Sequence, residues 1–322
     1  MNDKPQVLLT NPIHPDARAL LEPLAELVLA PDTAPDTLKR LAAQAQGIIV
    51  RAQLPPDIFE AAPALRGVVR HGVGLDMIPV QAATARRIPV ANVPGSNTCA
   101  VVEYAISAML NLRRPLQRMD ALLRSQGWAS ARALADATQE IDGAACGIVG
   151  LGAIGSQMAR KAAALGMTVL GVTPDPRSVP QGVRHAPLAE MLAAADVVVL
   201  CCPLNESTRG LIDAQALARM KPGALLINVA RGPVVDAQAV GQALHEGRLG
   251  GAALDVHAVQ PLPADSPLLD CPNLLLTPHV AGITATSMRN MSMGAAQQMA
   301  AILRGERPAH LVNPEILAEA AR

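Results

Sequence analysis

Two kinds of chemistry stand in the second half of the chain. The first is a phosphate cradle. Gly150-x-Gly152-x-x-Gly155 lies within Gly147-Ile-Val-Gly-Leu-Gly-Ala-Ile-Gly155, after an apolar run that reads as a strand and before an Ala-rich, Pro-free run, 156–166, that reads as a helix. Strand, glycine turn and helix form the context in which this spacing holds a dinucleotide. Gly150 permits the tight turn, Gly152 lets the main chain approach a pyrophosphate, and Gly155 lets the helix pack against the sheet, its free N–H groups facing the phosphates. The second kind is electrostatic and acid–base. In Asn228-Val-Ala-Arg231-Gly232-Pro-Val-Val-Asp236 an arginine occupies a glycine-containing turn after an apolar strand. There it either grips a carboxylate and polarises a carbonyl with its planar fork or lies on the surface. Asp255 ends another apolar strand and serves either as an acceptor for a carboxamide or as a strand-end cap. His279, in Leu276-Thr277-Pro278-His279-Val-Ala-Gly282, follows a proline at the mouth of the expected sheet. Proton transfer to a ligand is geometrically open there, although a lone histidine is more often structural.

The elements that must position these groups alternate between strand-like and helix-like runs, the pattern of a parallel α/β sheet. Strands are expected at 7–10, 47–51, 67–71 and 89–92, with helices at 15–24, 34–45, 56–61 and 80–87. A long helix over 97–113 leads to a second unit with strands at 145–150, 168–172, 197–202, 224–228, 251–256 and 274–277. Six strands suit a doubly wound dinucleotide fold. A helical run over 286–304 and the tail Leu311-Val-Asn-Pro-Glu315 are expected to return to the first unit. The expected division is therefore 1–96 plus 286–322 against 97–285, with the active site in a cleft between them.

With 322 residues, half of them hydrophobic, the chain can build two cores, and Phe59, Tyr104 and Trp128 are its only aromatic residues other than histidine. A formal net charge of zero argues against a nucleic-acid partner held through phosphates. The five cysteines are odd in number and lack a C-x-x-C spacing, so reduced thiols in a cytoplasmic protein are expected, without a metal site. No signal core or membrane span is read from the sequence.

Taken together, Arg231 in N-V-A-R-G-P-V-V-D, Asp255 in D-V-x-x-x-x-P and His279 in T-P-H-V-A-G stand in order behind the glycine motif. This order resembles the D-isomer-specific 2-hydroxyacid dehydrogenases, the family of phosphoglycerate dehydrogenase, glyoxylate/hydroxypyruvate reductase and formate dehydrogenase. The likeness extends to Arg70-His-Gly-Val-Gly-Leu-Asp76, Val93-Pro-Gly-Ser-Asn97, Gly127-Trp128, Cys202-Pro-Leu204 and Val312-Asn-Pro-Glu315, nearly the whole chain. It implies a flavodoxin-like substrate-binding domain and a Rossmann cofactor domain. Arg231 would bind the substrate carboxylate and carbonyl oxygen. His279 would be the acid in reduction and the base in oxidation. Val73 and Gly74 would hold the carboxylate through their N–H groups, and Asn97 would join them. Ala153 and Ile154 would lie under the pyrophosphate, Asp255 would hold the nicotinamide carboxamide, and Cys202, Pro203, Thr208, Val229, Ala230 and Gly282 would line the cofactor. A homodimer joined through the cofactor domain is implied, with Trp128 in the segment 116–140 as a candidate anchor. The chain's end soon after Glu315 implies no amino-acid-sensing module.

Two positions depart from the family pattern. Most members place a Glu before the proline of the D-V-x-x-x-x-P segment, where it pairs with the histidine; this chain has Gln260, which orients an imidazole without adding charge. The acidic residue expected on the adenosine ribose falls on Thr173, with Asp175 and Arg177 following. A small residue leaves room for a 2′-phosphate and Arg177 could pair with it, which favours NADP over NAD, while Asp175 could swing back to serve NAD. The expected activity is NAD(P)-dependent reduction of a small 2-oxo acid to a D-2-hydroxy acid. Arg51, Arg70 and His71 at strand ends of the first domain suggest a substrate with a second polar or anionic group, Arg51 and His71 being the candidate contacts. The alternatives are formate oxidation, prompted by Gln260 but disfavoured because the chain starts almost at its first strand, and a non-catalytic NAD(H)-sensing binding protein.

Overall fold

The structure is a computed structural model that describes residues 4–317. The chain divides into two compact units, one holding the residues up to Asn97 and from Ile283 on, the other Thr98–Gly282.

In the first unit, β1 (Gln6–Leu9), β2 (Glu26–Leu29), β3 (Gly47–Val50), β4 (Gly67–Arg70) and β5 (Val90–Ala91) form a five-stranded parallel sheet in the order β2-β1-β3-β4-β5. Gly-Ile-Ile-Val of β3 is buried at every position, as a strand of a parallel sheet covered on both faces must be. Alternate side chains feed opposite layers: Leu8, Ile48 and Val50 pack with Phe59 on one face, and Val7, Leu9 and Ile49 pack with Met299 on the other. Met299 belongs to the helix Ala285–Leu303, which opens on a capping box between Thr284 and Ser287. The tail closes on the sheet edge: Asn313 Oδ1 accepts from Val90 N–H at 2.9 Å and its amide donates to Ile88 O.

Two local expectations fail here. Residues 56–61 form turns rather than a helix, with three-residue hydrogen bonds such as Ile58 N–H to Pro55 O and Ala61 N–H to Ile58 O. The first of these carbonyls belongs to one of two successive prolines, and no helical i to i+4 ladder develops from them. Strand β2 was not expected; it is an edge strand that pairs only with β1 and, although Leu27-Val28-Leu29 is apolar, it carries no fully buried residue.

In the second unit, β6 (Ala145–Val149), β7 (Thr168–Val172), β8 (Arg184–His185), β9 (Val197–Leu200), β10 (Ala224–Asn228), β11 (Leu249–Leu254) and β12 (Leu274–Leu276) form a seven-stranded parallel sheet. Six strands were expected; the seventh, β8, is two exposed residues on the edge. The order β12-β11-β10-β9-β6-β7-β8 places the first strand inside the sheet, between β9 and β7. The chain winds outward from β6 through β7 to β8, then returns to β9 on the other side. Ile148, Val197 and Val199 pack with Val102, Met109 and Met158 on one face, and Val198 and Leu200 pack with Met191, Leu217 and Val240 on the other. Among the described residues no helix is long and apolar enough to cross a membrane.

Candidate active site

Because every pairing in the second sheet is parallel, the loops after β6, β7, β9, β10, β11 and β12 all leave from one edge. Nearly all the sequence-expected cofactor and catalytic residues lie in these loops. The glycine turn follows β6, at the point where the winding reverses, which is where ligands of doubly wound sheets bind.

The turn is built so that side chains cannot replace its glycines. Gly150 has φ +89°, and a Cβ on it would lie 2.7 Å from the Cys202 Cα. A Cβ on Gly155 would fall 1.9 Å from Gly150 O. Gly152, the N-cap of the helix Ala153–Ala164, is different: nothing lies within 4 Å of where its Cβ would be. The two crowded glycines hold the turn against the sheet, and the open one faces space that a pyrophosphate can fill. The first bond of the helix runs from Ser156 N–H to Gly152 O, so the N–H groups of Ala153, Ile154 and Gly155 have no helical acceptor and are available to phosphate oxygens. These residues fit a dinucleotide.

The turn after β12 carries His279, and Asp255 at the end of β11 holds it. Three successive N–H groups donate to this one residue: His279 to the Asp255 main-chain O at 2.8 Å, Val280 to Oδ1 at 2.8 Å and Ala281 to Oδ2 at 2.9 Å. Thr277 Oγ1 also donates to Oδ1, at 2.7 Å. Asp255 is 1% exposed, so its carboxylate satisfies the turn instead of solvent. Asp255 is thus a strand-end cap that also ties the His279 turn. His279 itself adopts φ +59°, a left-handed conformation that costs roughly 1–2 kcal/mol and that these bonds offset.

Gln260 meets His279. Its Oε1 lies 3.1 Å from His279 Nδ1, and its Nε2 donates to His257 O at 3.2 Å. The second bond fixes the amide orientation, so Oε1 accepts from Nδ1–H. In the neutral ring that tautomer places the basic lone pair on Nε2. His257 Nε2–H donates to Thr277 O at 3.0 Å, tying the two loops together.

Arg231 follows β10. Asn228, fully buried at the strand end, accepts from Ala230 N–H through Oδ1 and donates to Arg231 O through Nδ2, both at 3.0 Å. Arg231 Nη1 donates to Ala230 O at 2.7 Å. A Cβ on Gly232 would lie 2.1 Å from the His257 carbonyl carbon, so only glycine lets the Arg231 turn pack against the segment leading to Gln260. Val229 and Ala230 are buried beneath it. Asn228 and Gly232 were not singled out in the sequence; a polar residue closing a fully apolar strand was the available signal for the first.

At the end of β7, Thr173 Oγ1 lies 3.2 Å from Ser178 Oγ, and Asp175 forms a two-pronged pair with Arg177 at 2.9 and 3.0 Å. His185 of β8 donates from Nε2 to Thr173 O at 3.3 Å. Cys202 is buried beside Gly150 and Pro203 is exposed. Thr208 turns its hydroxyl inward, to Pro203 O at 2.7 Å. Gly282 closes the unit. Among the described residues no three His, Cys, Asp or Glu side chains converge as a metal site.

In the first unit, Arg70 does not serve as a displayed charge. Nε donates to Gly74 O at 3.0 Å and Nη1 to Val50 O and His71 O, while Asn92 Nδ2 donates to Val73 O. The carbonyls of the 71–74 loop are thus drawn inward, and the N–H groups of Val73 and Gly74 have no acceptor among the described residues. His71 departs from expectation. It is 3% exposed, its Nε2 is 2.7 Å from Ser292 Oγ, and burial, with the neighbouring Arg51 charge, pushes its imidazole down to about 3. It is neutral at physiological pH and offers no charge to an anion. Arg51 is held by Pro12 O and the Met288 sulfur, with no carboxylate partner among the described residues. The Asn97 side-chain oxygen is buried and unpartnered.

A glycine turn at the switch point of a doubly wound sheet, with an imidazole on the same sheet edge, is the arrangement of a nicotinamide-dependent oxidoreductase. Comparison with known proteins agrees. Residues 106–281 match the family model described as D-isomer specific 2-hydroxyacid dehydrogenase, NAD binding domain. The chain is 35% identical to a glyoxylate reductase of Korarchaeum cryptofilum over 98% of its own length and 97% of the relative's. It is 34% identical to a D-3-phosphoglycerate dehydrogenase of Methanocaldococcus jannaschii over 96% of its own length, but spans only 59% of that protein. An NADPH-dependent glyoxylate/hydroxypyruvate reductase of Sinorhizobium meliloti, solved with NADP and malonate, superposes with a TM-score of 0.85 at 30% identity, covering 96% of this chain and 97% of that one. The chain belongs to the D-isomer-specific 2-hydroxyacid dehydrogenases, nicotinamide-dependent oxidoreductases that act on a CH–OH group.

Proposed function

We propose that the protein reduces a small 2-oxo acid to a D-2-hydroxy acid and catalyses the reverse oxidation. The observation that carries this reading is the His279 turn, whose backbone is fixed by Asp255 and whose Nδ1–H donates to Gln260. When bound, the nicotinamide supplies the hydride for reduction and accepts it in oxidation. Arg231 binds the substrate carboxylate and carbonyl oxygen, and its guanidinium stabilises the negative charge that builds on that oxygen as the carbonyl carbon is reduced. His279 Nε2–H then gives its proton to the oxygen, completing the alcohol. In oxidation the neutral Nε2 takes the hydroxyl proton, while Gln260 keeps Nδ1–H in place.

The unit Thr98–Gly282 is the cofactor domain in this account, with Gly150, Gly152, Ala153, Ile154 and Gly155 at the pyrophosphate and Cys202, Pro203, Thr208, Val229, Ala230 and Gly282 along the cofactor. Asp255 Oδ2, which accepts from Ala281 N–H, retains capacity for the carboxamide. The other unit is the substrate domain, with the Val73 and Gly74 N–H groups, Asn97 and Arg51 as contacts. Arg51 suits a substrate with a second polar or anionic group. NADP is the favoured cofactor: the Asp175–Arg177 pair is solvent-exposed, such pairs contribute little, and a 2′-phosphate can take the guanidinium from the carboxylate. The test is a panel of 2-oxo acids assayed with NADH and NADPH in parallel. Turnover with NADPH preferred supports both parts; NADH preference refutes only the second.

A homodimer joined through the cofactor domain accounts for the helix Leu116–Gln126, which buries none of its residues. Leu116 is 63% and Trp128 74% exposed, and Leu116 joins Ile106, Leu110 and Ile141 among the otherwise polar and charged residues that line a cleft of about 730 Å³. Light scattering at micromolar concentration should give twice the chain mass, and Trp128→Ala should weaken the dimer; a monomeric wild type refutes it.

A further inference from the structure

We infer that Tyr104 is a positioning residue for His279, acting through Thr277 and Asp255; the inference rests on the proposed role of His279. Tyr104 is the only tyrosine of the chain and sits within the helix Thr98–Arg113, far in sequence from the turn it reaches. Its hydroxyl lies 2.6 Å from Thr277 Oγ1, which lies 2.7 Å from Asp255 Oδ1.

The chemistry of the three groups sets the direction of this chain. A carboxylate is an acceptor only, so the Thr277 proton points at Oδ1. Thr277 Oγ1 then has only lone pairs to offer Tyr104, and the phenol must donate. Burial pushes that phenol above its ordinary value, which keeps it a donor throughout the working range. Tyr104 therefore pins the Thr277 hydroxyl in the rotamer that serves Asp255, and a donor polarised in this way makes a stronger bond to its own acceptor.

Asp255 has no cation partner among the described residues and is almost completely buried. Its orientation depends on Thr277 and on the N–H groups of Val280 and Ala281. Those two amides follow directly on His279. A carboxylate that swings when the Thr277 hydroxyl is freed loosens the residues that aim the imidazole, with no change in the imidazole's own partner Gln260. The expected signature is a loss in the chemical step without a loss of substrate binding and without a shift in pH profile, because no charge is removed.

The experiment uses Tyr104→Phe, which keeps the ring and removes only the hydroxyl, together with Thr277→Val and Thr277→Ser. Amide exchange at Val280 and Ala281 is followed by NMR in the cofactor-free protein, and kcat and KM are measured on one 2-oxo acid. Tyr104→Phe should speed exchange at both amides and lower kcat by about five-fold each, the worth of one ordinary hydrogen bond, with KM and the pH limbs unmoved. Thr277→Val should reproduce the effect and abolish any further effect of Tyr104→Phe; Thr277→Ser should restore it. Unchanged exchange and kcat in Tyr104→Phe, or an equal Tyr104→Phe effect in the Thr277→Val background, overturns the inference. The exchange measurement needs no turnover, so a wild type that reduces no 2-oxo acid, yet shows the exchange response, refutes the catalytic reading and leaves the positioning intact.

Discussion

Replacing Gln260 by Glu restores the charge that most relatives are expected to carry beside the catalytic imidazole, and the structure sets its size. Gln260 Oε1 and His279 Nδ1 are 3.1 Å apart and both side chains are exposed, so water-like screening applies. Two unit charges at that distance and a dielectric constant of about 80 attract by about 1.3 kcal/mol, equivalent to about one pH unit. The carboxylate stabilises the imidazolium. In reduction, which needs the imidazolium, activity should persist to a pH about one unit higher. In oxidation, which needs the neutral ring, the rise in activity should be delayed by the same interval. The assay is kcat/KM against pH for wild type and Gln260→Glu, in both directions, on one substrate pair at low ionic strength. Added salt should shrink the shift. Superimposable profiles would mean that residue 260 does not touch the acid–base group in the working enzyme, and opposite movement of the two limbs would refute the assignment of one group to both directions.

Arg231→Ala should lower kcat/KM by about 100-fold or more, with both binding and turnover affected, since the guanidinium serves the ground state and the developing oxyanion; steady-state kinetics showing wild-type values would remove Arg231 from the site. The buried His71 makes a separate prediction about stability. Its imidazole is held near 3 in the folded protein and returns to about 6.5 when unfolded, so the unfolded state binds the extra proton between those values and stability falls as pH falls. The loss reaches about 2 kcal/mol by pH 5. Urea denaturation of wild type and His71→Gln at pH 8 and pH 5 should show that increment in the wild type only, and equal pH dependence would place the shift elsewhere.

The sequence made the second unit more legible than the first. Its central strands are unbroken apolar runs such as Val197–Leu200, which admit few readings, and its glycine spacing has a fixed meaning once strand and helix flank it. The edges were harder: β2 has no fully buried position and β8 is two residues long, so neither produces the periodicity on which pattern reading depends. In the site, the pairing of Gln260 with His279 followed from motif register. The triple grip of Asp255 on the His279 turn did not, because it depends on a left-handed residue and on main-chain N–H directions. Arg70 shows a related difficulty. A charge-bearing residue at a strand end looks the same in sequence whether it faces a ligand or, as Arg70 does, ties its own loop's carbonyls inward. Tyr104 was visible only as a lone aromatic, since its partner Thr277 lies on a loop that the fold alone brings near.

The most direct test of the central claim is the stereochemistry of the product. Purified protein is incubated with a prochiral 2-oxo acid that it turns over and reduced cofactor, NADH and NADPH separately, and the hydroxy acid formed is resolved by chiral chromatography beside His279→Ala and Arg231→Ala. The account predicts cofactor oxidation matched mole for mole by the D-hydroxy acid, and its near loss in both variants. Formation of the L-isomer, or turnover undiminished without His279, would contradict it.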